Sequence, residues 1–190
     1  MTDLIFQPET HQYFKGGAEL PSVTRILSEM GFVDKSFYTP DSATRGSYVH
    51  KATELDDYGE LDEGSIDDTI LPYLTAWRSF KRHTGIIIKE IEKPVCNEIY
   101  RYAGTLDRIV ELNGTQAILD IKSGNIEAWV GLQLAAYAMA ESKPNIQRYA
   151  VQLSNDGKYK VHHFTDTNDR NIFTAAVACY HWQQNNKRGK

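Results

Sequence analysis

The sequence predicts an α/β fold: helices packed on a central mixed β-sheet. Three observations carry this reading. Segments with helical apolar spacing fill the first 85 residues, a run of β-branched and aromatic segments follows, and apolar helical stretches return after the third and fifth of those strands. The turn signals Asn113-Gly114 and Asn155-Asp156-Gly157 divide the strands into antiparallel neighbours.

Taken in order, "LIFQPETHQYFKGG" alternates apolar and polar residues around turn formers and predicts a small N-terminal hairpin. Ser22 can cap a short helix through "VTRILSEM", stopped by Gly31. "SATRGSYVHKATELDDYG" reads as a second helix, with Val49, Ala52 and Leu55 on one apolar face. "DTILPYLTAWRSFKRHTG" reads as a third, with Leu74, Trp77 and Phe80 at helical spacing and a basic, glycine-terminated end. "IIIKEIEKPVC", "IYRYAGTLDRIVEL" and "QAILDIKS" predict three neighbouring antiparallel strands. "NIEAWVGLQLAAYAMAES" predicts a largely buried helix, "IQRYAVQLS" and "KYKVHHFT" two more strands, and residues 167–185 a closing helix.

With 190 residues and 41 % hydrophobic content, the chain suits one core, and no repeat, low-complexity tract or flexible linker divides it. Residues 1–190 are therefore expected to form a single domain with a small N-terminal hairpin and helical region. No apolar run approaches the roughly 20 residues that span a bilayer, and the N-terminus lacks the pattern of an export signal. Cys96 and Cys179 read as reduced, partly buried residues, so the expectation is a cytoplasmic protein without a membrane partner.

The net charge of −4 argues at first against nucleic acid. Its distribution weakens the objection, because residues 54–68 hold eight acids and no Lys or Arg, which leaves +4 on the remainder. Lys35, Arg45, Lys51, Arg78, Lys81 and Arg82 are candidates for a basic groove, with "NNKRGK" as an extra; scattered solvated lysines are the alternative reading.

The segment "AILDIKSG" carries the chemistry. In a strand, Asp120 and Lys122 share a face while Ile121 points to the other layer. Across the Asn113-Gly114 turn, Asp107 can approach Asp120 if the strands pair and the first bends at Gly104. Two neighbouring carboxylates repel unless a cation lies between them, and a hard divalent ion, Mg²⁺ or Mn²⁺, takes oxygen ligands while leaving room for water and phosphate. Lys122 can hold an attacking water or neutralise charge on a phosphate oxygen. The acid-any-Lys pattern also occurs at Glu141-Ser142-Lys143 and Asp156-Gly157-Lys158, in a helix end and a turn, where it reads as surface charge.

"YAGTLDRIV", "ILDIKSG" and "QLAAY", in that order, resemble the PD-(D/E)XK nuclease superfamily and its RecB-like exonuclease branch. "RGSYVHKATE" resembles the first motif of that branch, and "PSVTRIL" the opening of the phage-type and mitochondrial genome-maintenance exonucleases. The resemblance implies a restriction-endonuclease-like core. It implies that Asp107 and Asp120 are metal ligands with the Ile121 carbonyl, that Lys122 serves the water, and that Gln133 and Tyr137 position phosphate or the lysine. His50 matches the extra metal ligand, and Glu54, one helical turn on, is a candidate for a second ion or its water. A histidine packed at the sheet edge is the structural alternative for His50.

Other residues divide more evenly. Glu90 and Glu92, on the strand before the hairpin, can approach the metal or simply alternate charge along an edge strand. Arg45 can grip phosphate or pair with the acidic segment. Trp77, Trp129 and Trp182 read as core, His162 and His163 as surface residues, and Tyr38 and Phe37, beside Lys35, as candidates for stacking on an unpaired base. Two isolated cysteines exclude an iron–sulfur cluster of the kind some relatives carry, and without a Walker motif any unwinding falls to a helicase or recombinase partner. The expectation is a Mg²⁺- or Mn²⁺-dependent DNA exonuclease acting on single-stranded ends in recombination, repair or phage DNA processing. The alternatives are a structure-specific endonuclease of the same fold and a non-catalytic nucleic-acid-binding protein.

Overall fold

A computed structural model of the chain describes residues 3–34 and 39–187. Lys35, Phe37 and Tyr38, expected near nucleic acid, lie outside the described residues.

The N-terminal strands β1 (Ile5–Gln7), β2 (Gln12–Lys15) and β3 (Ala18–Leu20) form an antiparallel sheet in that order. The expected hairpin thus gains a third strand, turned by Gly16 and Gly17 at φ 58° and 79°. Tyr13 anchors it, buried beside Leu20 and Ala103 with its hydroxyl 2.9 Å from Thr105 Oγ1. Ser22 caps α1 (Val23–Glu29) by accepting the Arg25 N–H.

Helix α2 (Pro40–Tyr58) opens on a capping box between Thr39 and Ser42 with Pro at N1, and closes at Gly59, φ 72°. Helix α3 (Leu71–Thr84) ends with Lys81, Arg82 and His83 before left-handed Gly85. The main sheet follows: β4 (Ile87–Asn97), β5 (Tyr102–Leu112), β6 (Thr115–Lys122), β7 (Gln147–Leu153) and β8 (Tyr159–His163), adjacent in that order. All neighbours are antiparallel except β6 and β7, whose parallel pairing requires a crossover; α4 (Trp129–Ala140) supplies it. Asn113 and Gly114, at φ 50° and 74°, turn β5 into β6 with the two positive φ values of a tight hairpin. Helix α5 (Asn168–Lys187) closes the fold.

Two apolar layers sandwich the sheet. Helices α1, α4 and α5 pack Ile26, Leu134, Phe173 and Val177 against Leu106, Ile109 and Ile118. Helices α2 and α3 pack Val49, Trp77 and Phe80 against Val110, Leu119, Ile121 and Val151. Residues Val130 to Ala138 of α4 are all buried, the reason that segment is apolar around its whole circumference. Because Ile118 faces the α4 layer, Asp120 and Lys122 leave β6 on that side.

Strand β5 breaks its alternation. Leu106 and Ile109, three residues apart, both join the α4-side core. Between them Asp107 faces Glu92, whose φ is 44°, while the register shift of the β4–β5 ladder lies further along, between Ile88 and Glu90. It does not fall at Gly104, which stays in the ladder opposite Val95. Gly104 is there for space: a Cβ would lie 2.7 Å from Tyr137 Cε1. Two further expectations need correction. Cys179 is exposed rather than partly buried, and Trp182, 68 % exposed, lies outside the core because α5 packs through Phe173, Val177 and Tyr180.

Candidate metal centre

The register of the sheet aligns three carboxylates. The pairs Ile91–Arg108 and Lys93–Leu106 bracket Glu92 and Asp107, so these two stand opposite each other on β4 and β5. One step beyond the Arg108–Leu119 pair, Asp107 stands opposite Asp120 on β6. There the backbone ladder stops, and Asp107 Oδ2 accepts the Ile121 N–H at 2.6 Å instead. A cross-strand row of acids is unfavourable without compensation, since like charges directly opposite repel.

Helix α2 brings in His50. Its Nδ1 lies 3.5 Å from Asp107 Oδ2, and among the described residues His50, Glu92 and Asp107 place one donor atom each within 4.8 Å of one another. Asp120 lies outside that triad. Its Oδ2 is 2.8 Å from the Lys122 ammonium, an ion pair off the axis of a directed hydrogen bond. Burial pushes the Asp120 carboxyl up to about 6; Lys122 opposes the rise and Asp107 adds to it. Burial likewise lifts Glu92 to about 8, reinforced by Asp107 and opposed by Arg108. This donor set, one imidazole and neighbouring carboxylates burdened by mutual repulsion, fits a divalent cation.

Lys122 is fixed from α4. Gln133 Oε1 accepts from its ammonium at 3.2 Å, and Gln133 Nε2 donates to Tyr137 Oη at 3.2 Å. Both residues are buried one helical turn apart, and burial raises the Tyr137 phenol well above its ordinary value, keeping it neutral. The Trp129 ring centroid lies 5.3 Å from the ammonium, close enough for a cation–π contact. Gln133 thus contacts the lysine, one of the two partners expected for this pair, and Tyr137 holds Gln133.

The remaining candidates are placed as follows. Ile121 contributes its amide to Asp107 while its side chain lies in the α2/α3 core. Glu54 pairs with Lys51 at 3.0 Å, outside the triad but near enough that its charge adds to the rise at Glu92. Arg45 has a buried Nε without a hydrogen-bond partner, lies 6.0 Å from the Tyr73 ring centroid, and lines a groove of about 690 Å³ with Tyr48 and Lys51. Gly46 passes beside Ser123, which sets this part of α2 next to the end of β6.

The basic groove contracts. Arg78 pairs with Asp56 and Glu63, and Lys81 with Asp56 and Asp57 at 2.8 and 2.6 Å, so the acidic segment neutralises both. Glu90 stays exposed, 3.8 Å from Lys93. Glu92 is the residue that sequence reasoning left undecided. Its alternation with Glu90 resembled edge-strand charge, and the local signal for its role, a left-handed backbone in the middle of a strand, is invisible in composition.

No helix among the described residues is long and apolar enough to cross a membrane. No family model matches the chain, and no curated protein matches it. Among solved structures, the crystal structure of SSO0001 is similar over 82 % of this chain and 81 % of its own, at 18 % sequence identity and a TM-score of 0.36.

Proposed function

We propose that the chain is a Mg²⁺- or Mn²⁺-dependent DNA exonuclease of the PD-(D/E)XK type that hydrolyses phosphodiester bonds at single-stranded ends. The observation that carries this reading is the Asp120–Lys122 ion pair set beside the His50, Glu92 and Asp107 triad, with carboxylates aligned across three strands. A structural ion pair needs no such row of acids, and a row of acids without a cation is a liability.

His50, Glu92, Asp107 and Asp120 are the residues that would hold the ion. When bound, a divalent ion acidifies water and neutralises phosphate charge. The chain's own contributions begin with Lys122. Its ammonium, held by Asp120 and Gln133, presents N–H donors to the attacking water or to a phosphate oxygen. Tyr137 keeps Gln133 from rotating, and Gly104 lets Tyr137 reach that position. Lys122 is then oriented before substrate arrives, so little reorganisation accompanies the displacement. Preference for DNA and for free ends is carried by the sequence resemblance, and Arg45 and Lys51 on the α2 groove are the residues proposed to meet the phosphate backbone.

The test is a time course on end-labelled single-stranded, double-stranded and circular single-stranded DNA with Mg²⁺ or Mn²⁺. Linear substrates should shorten from an end while circles survive. Loss of circles would make the enzyme an endonuclease, and equal cleavage by Asp120→Ala would remove the assignment altogether.

A further inference from the structure

The Arg108 guanidinium is fully buried, yet it reaches Glu92 and the Asp107 backbone directly and His50 through Thr53 without belonging to the donor set. Its Nε donates to Asp57 Oδ2 at 2.7 Å; Nη1 donates to Glu92 Oε1 at 3.0 Å and to the Asp107 carbonyl at 2.7 Å; Nη2 reaches Thr53 Oγ1 at 3.5 Å. Thr53 Oγ1 donates in turn to the carbonyl of His50. One side chain thus joins β4 through Glu92, β5 through the Asp107 backbone and α2 through Asp57 and Thr53, and these are the three elements that supply the triad.

A purely structural arginine would be satisfied by Asp57, whose carboxylate is also buried and shared with Trp77 Nε1 and Lys81. The contact to Glu92 is different, because Glu92 sits at a strained backbone position and its side chain is 28 % exposed. Holding that carboxylate in place needs a donor of fixed direction. The planar guanidinium provides it in a way a lysine ammonium does not. We propose that Arg108 is the positioning residue of the metal centre, locking Glu92 against β5 and fixing the distance between β4 and the α2 turn that carries His50. The inference rests on the metal-dependent reading of the site and adds the support on which its donor set depends.

The test measures Mn²⁺ binding to the full chain by calorimetry and by the loss of free-ion electron paramagnetic resonance signal, without DNA. Arg108→Lys keeps the charge and loses the fork; it should weaken Mn²⁺ at least about tenfold, the usual scale for residues that orient ligands. Asp56→Asn is the control, since it removes the Asp56 pairs with Arg78 and Lys81, lowers thermal stability and leaves Arg108 untouched. Its Mn²⁺ affinity should equal that of the parent. If Arg108→Lys fails to fold, Arg108→Met/Asp57→Asn removes the buried charge from both partners and serves in its place. A folded Arg108 variant that binds Mn²⁺ as the parent does overturns the positioning role alone. A parent that binds no Mn²⁺ overturns the metal-dependent reading and this inference with it.

Discussion

Glu92 and Asp107 stand opposite each other across β4 and β5 at the point where Glu92 turns to a left-handed φ of 44°. Backbone strain and like-charge repulsion therefore coincide at one register position. Strain in a non-glycine residue costs on the order of 1–3 kcal/mol and persists only where the surroundings over-determine it. Here the Arg108 contact and the triad geometry do so.

Metal-free stability should fall as pH rises. Glu92 at about 8 and Asp120 at about 6 both sit above their ordinary values of 4.5 and 3.8, so the folded chain binds more protons than the unfolded one between those limits. Nothing is lost below about pH 4; the penalty from Asp120 accrues up to about pH 6 and that from Glu92 up to about pH 8. Thermal denaturation in chelator should show the parent losing stability from pH 5 to 8, with Glu92→Gln removing most of the decline above pH 6. Added Mn²⁺ should raise the melting temperature more at pH 8 than at pH 5. Identical pH profiles for parent and Glu92→Gln would contradict the placement of Glu92.

Asp120→Asn and Lys122→Met should both cut cleavage steeply yet move stability in opposite directions. Removing the buried charge of Asp120 relieves repulsion with Asp107, so the metal-free melting temperature should hold or rise while activity drops by about 10²–10³. Removing Lys122 leaves the Asp120 carboxylate buried beside a methyl group, and stability should fall by about 1–3 kcal/mol at pH 8. The fall should shrink at pH 5, where the carboxyl takes up a proton. Denaturant titrations at the two pH values check both claims.

Much of this arrangement was legible in the sequence because it is local. Period-two spacing put Asp120 and Lys122 on one face, the Asn113-Gly114 turn set Asp107 opposite Asp120, and period-four spacing put Gln133 beside Tyr137. What stayed hidden depends on contacts between distant segments. Arg78 and Lys81 look like a basic surface until α3 packs on α2 and their partners turn out to be Asp56, Asp57 and Glu63. Arg108 reads as one more charged strand residue until Asp57, 51 positions away, meets it in the core. Gly104 suggests a bend in sequence, and only the position of the Tyr137 ring shows that the missing Cβ is what matters.

Gly104→Ala should destabilise the chain by about 1–3 kcal/mol, the cost of forcing a methyl group into a filled site. The displaced Tyr137 ring would pull Gln133 from Lys122, so cleavage should fall more than the loss of folded protein explains. In a double-mutant cycle with Tyr137→Leu, the two stability losses should sum to more than the double variant shows. Strict additivity would mean that the ring and the glycine are not coupled.

The reduced basic surface gives the last expectation. Arg45 has a buried Nε without a hydrogen-bond partner on the α2 groove, while Arg78 and Lys81 are neutralised by carboxylates. Arg45→Ala should weaken single-stranded DNA binding across all sequences and lower the slope of log affinity against log salt by about one, the mark of a single lost phosphate contact. Arg78→Ala and Lys81→Ala should each leave that slope unchanged and instead reduce stability by up to about 1 kcal/mol, since both cations are themselves partly open to solvent and buried Asp57 keeps its pair with Arg108. Fluorescence anisotropy over a salt series, with Asp120→Asn as background to prevent cleavage, separates the two classes. A salt slope that moved with Arg78 or Lys81 but not with Arg45 would shift the DNA path from the α2 groove to the outer face of α3.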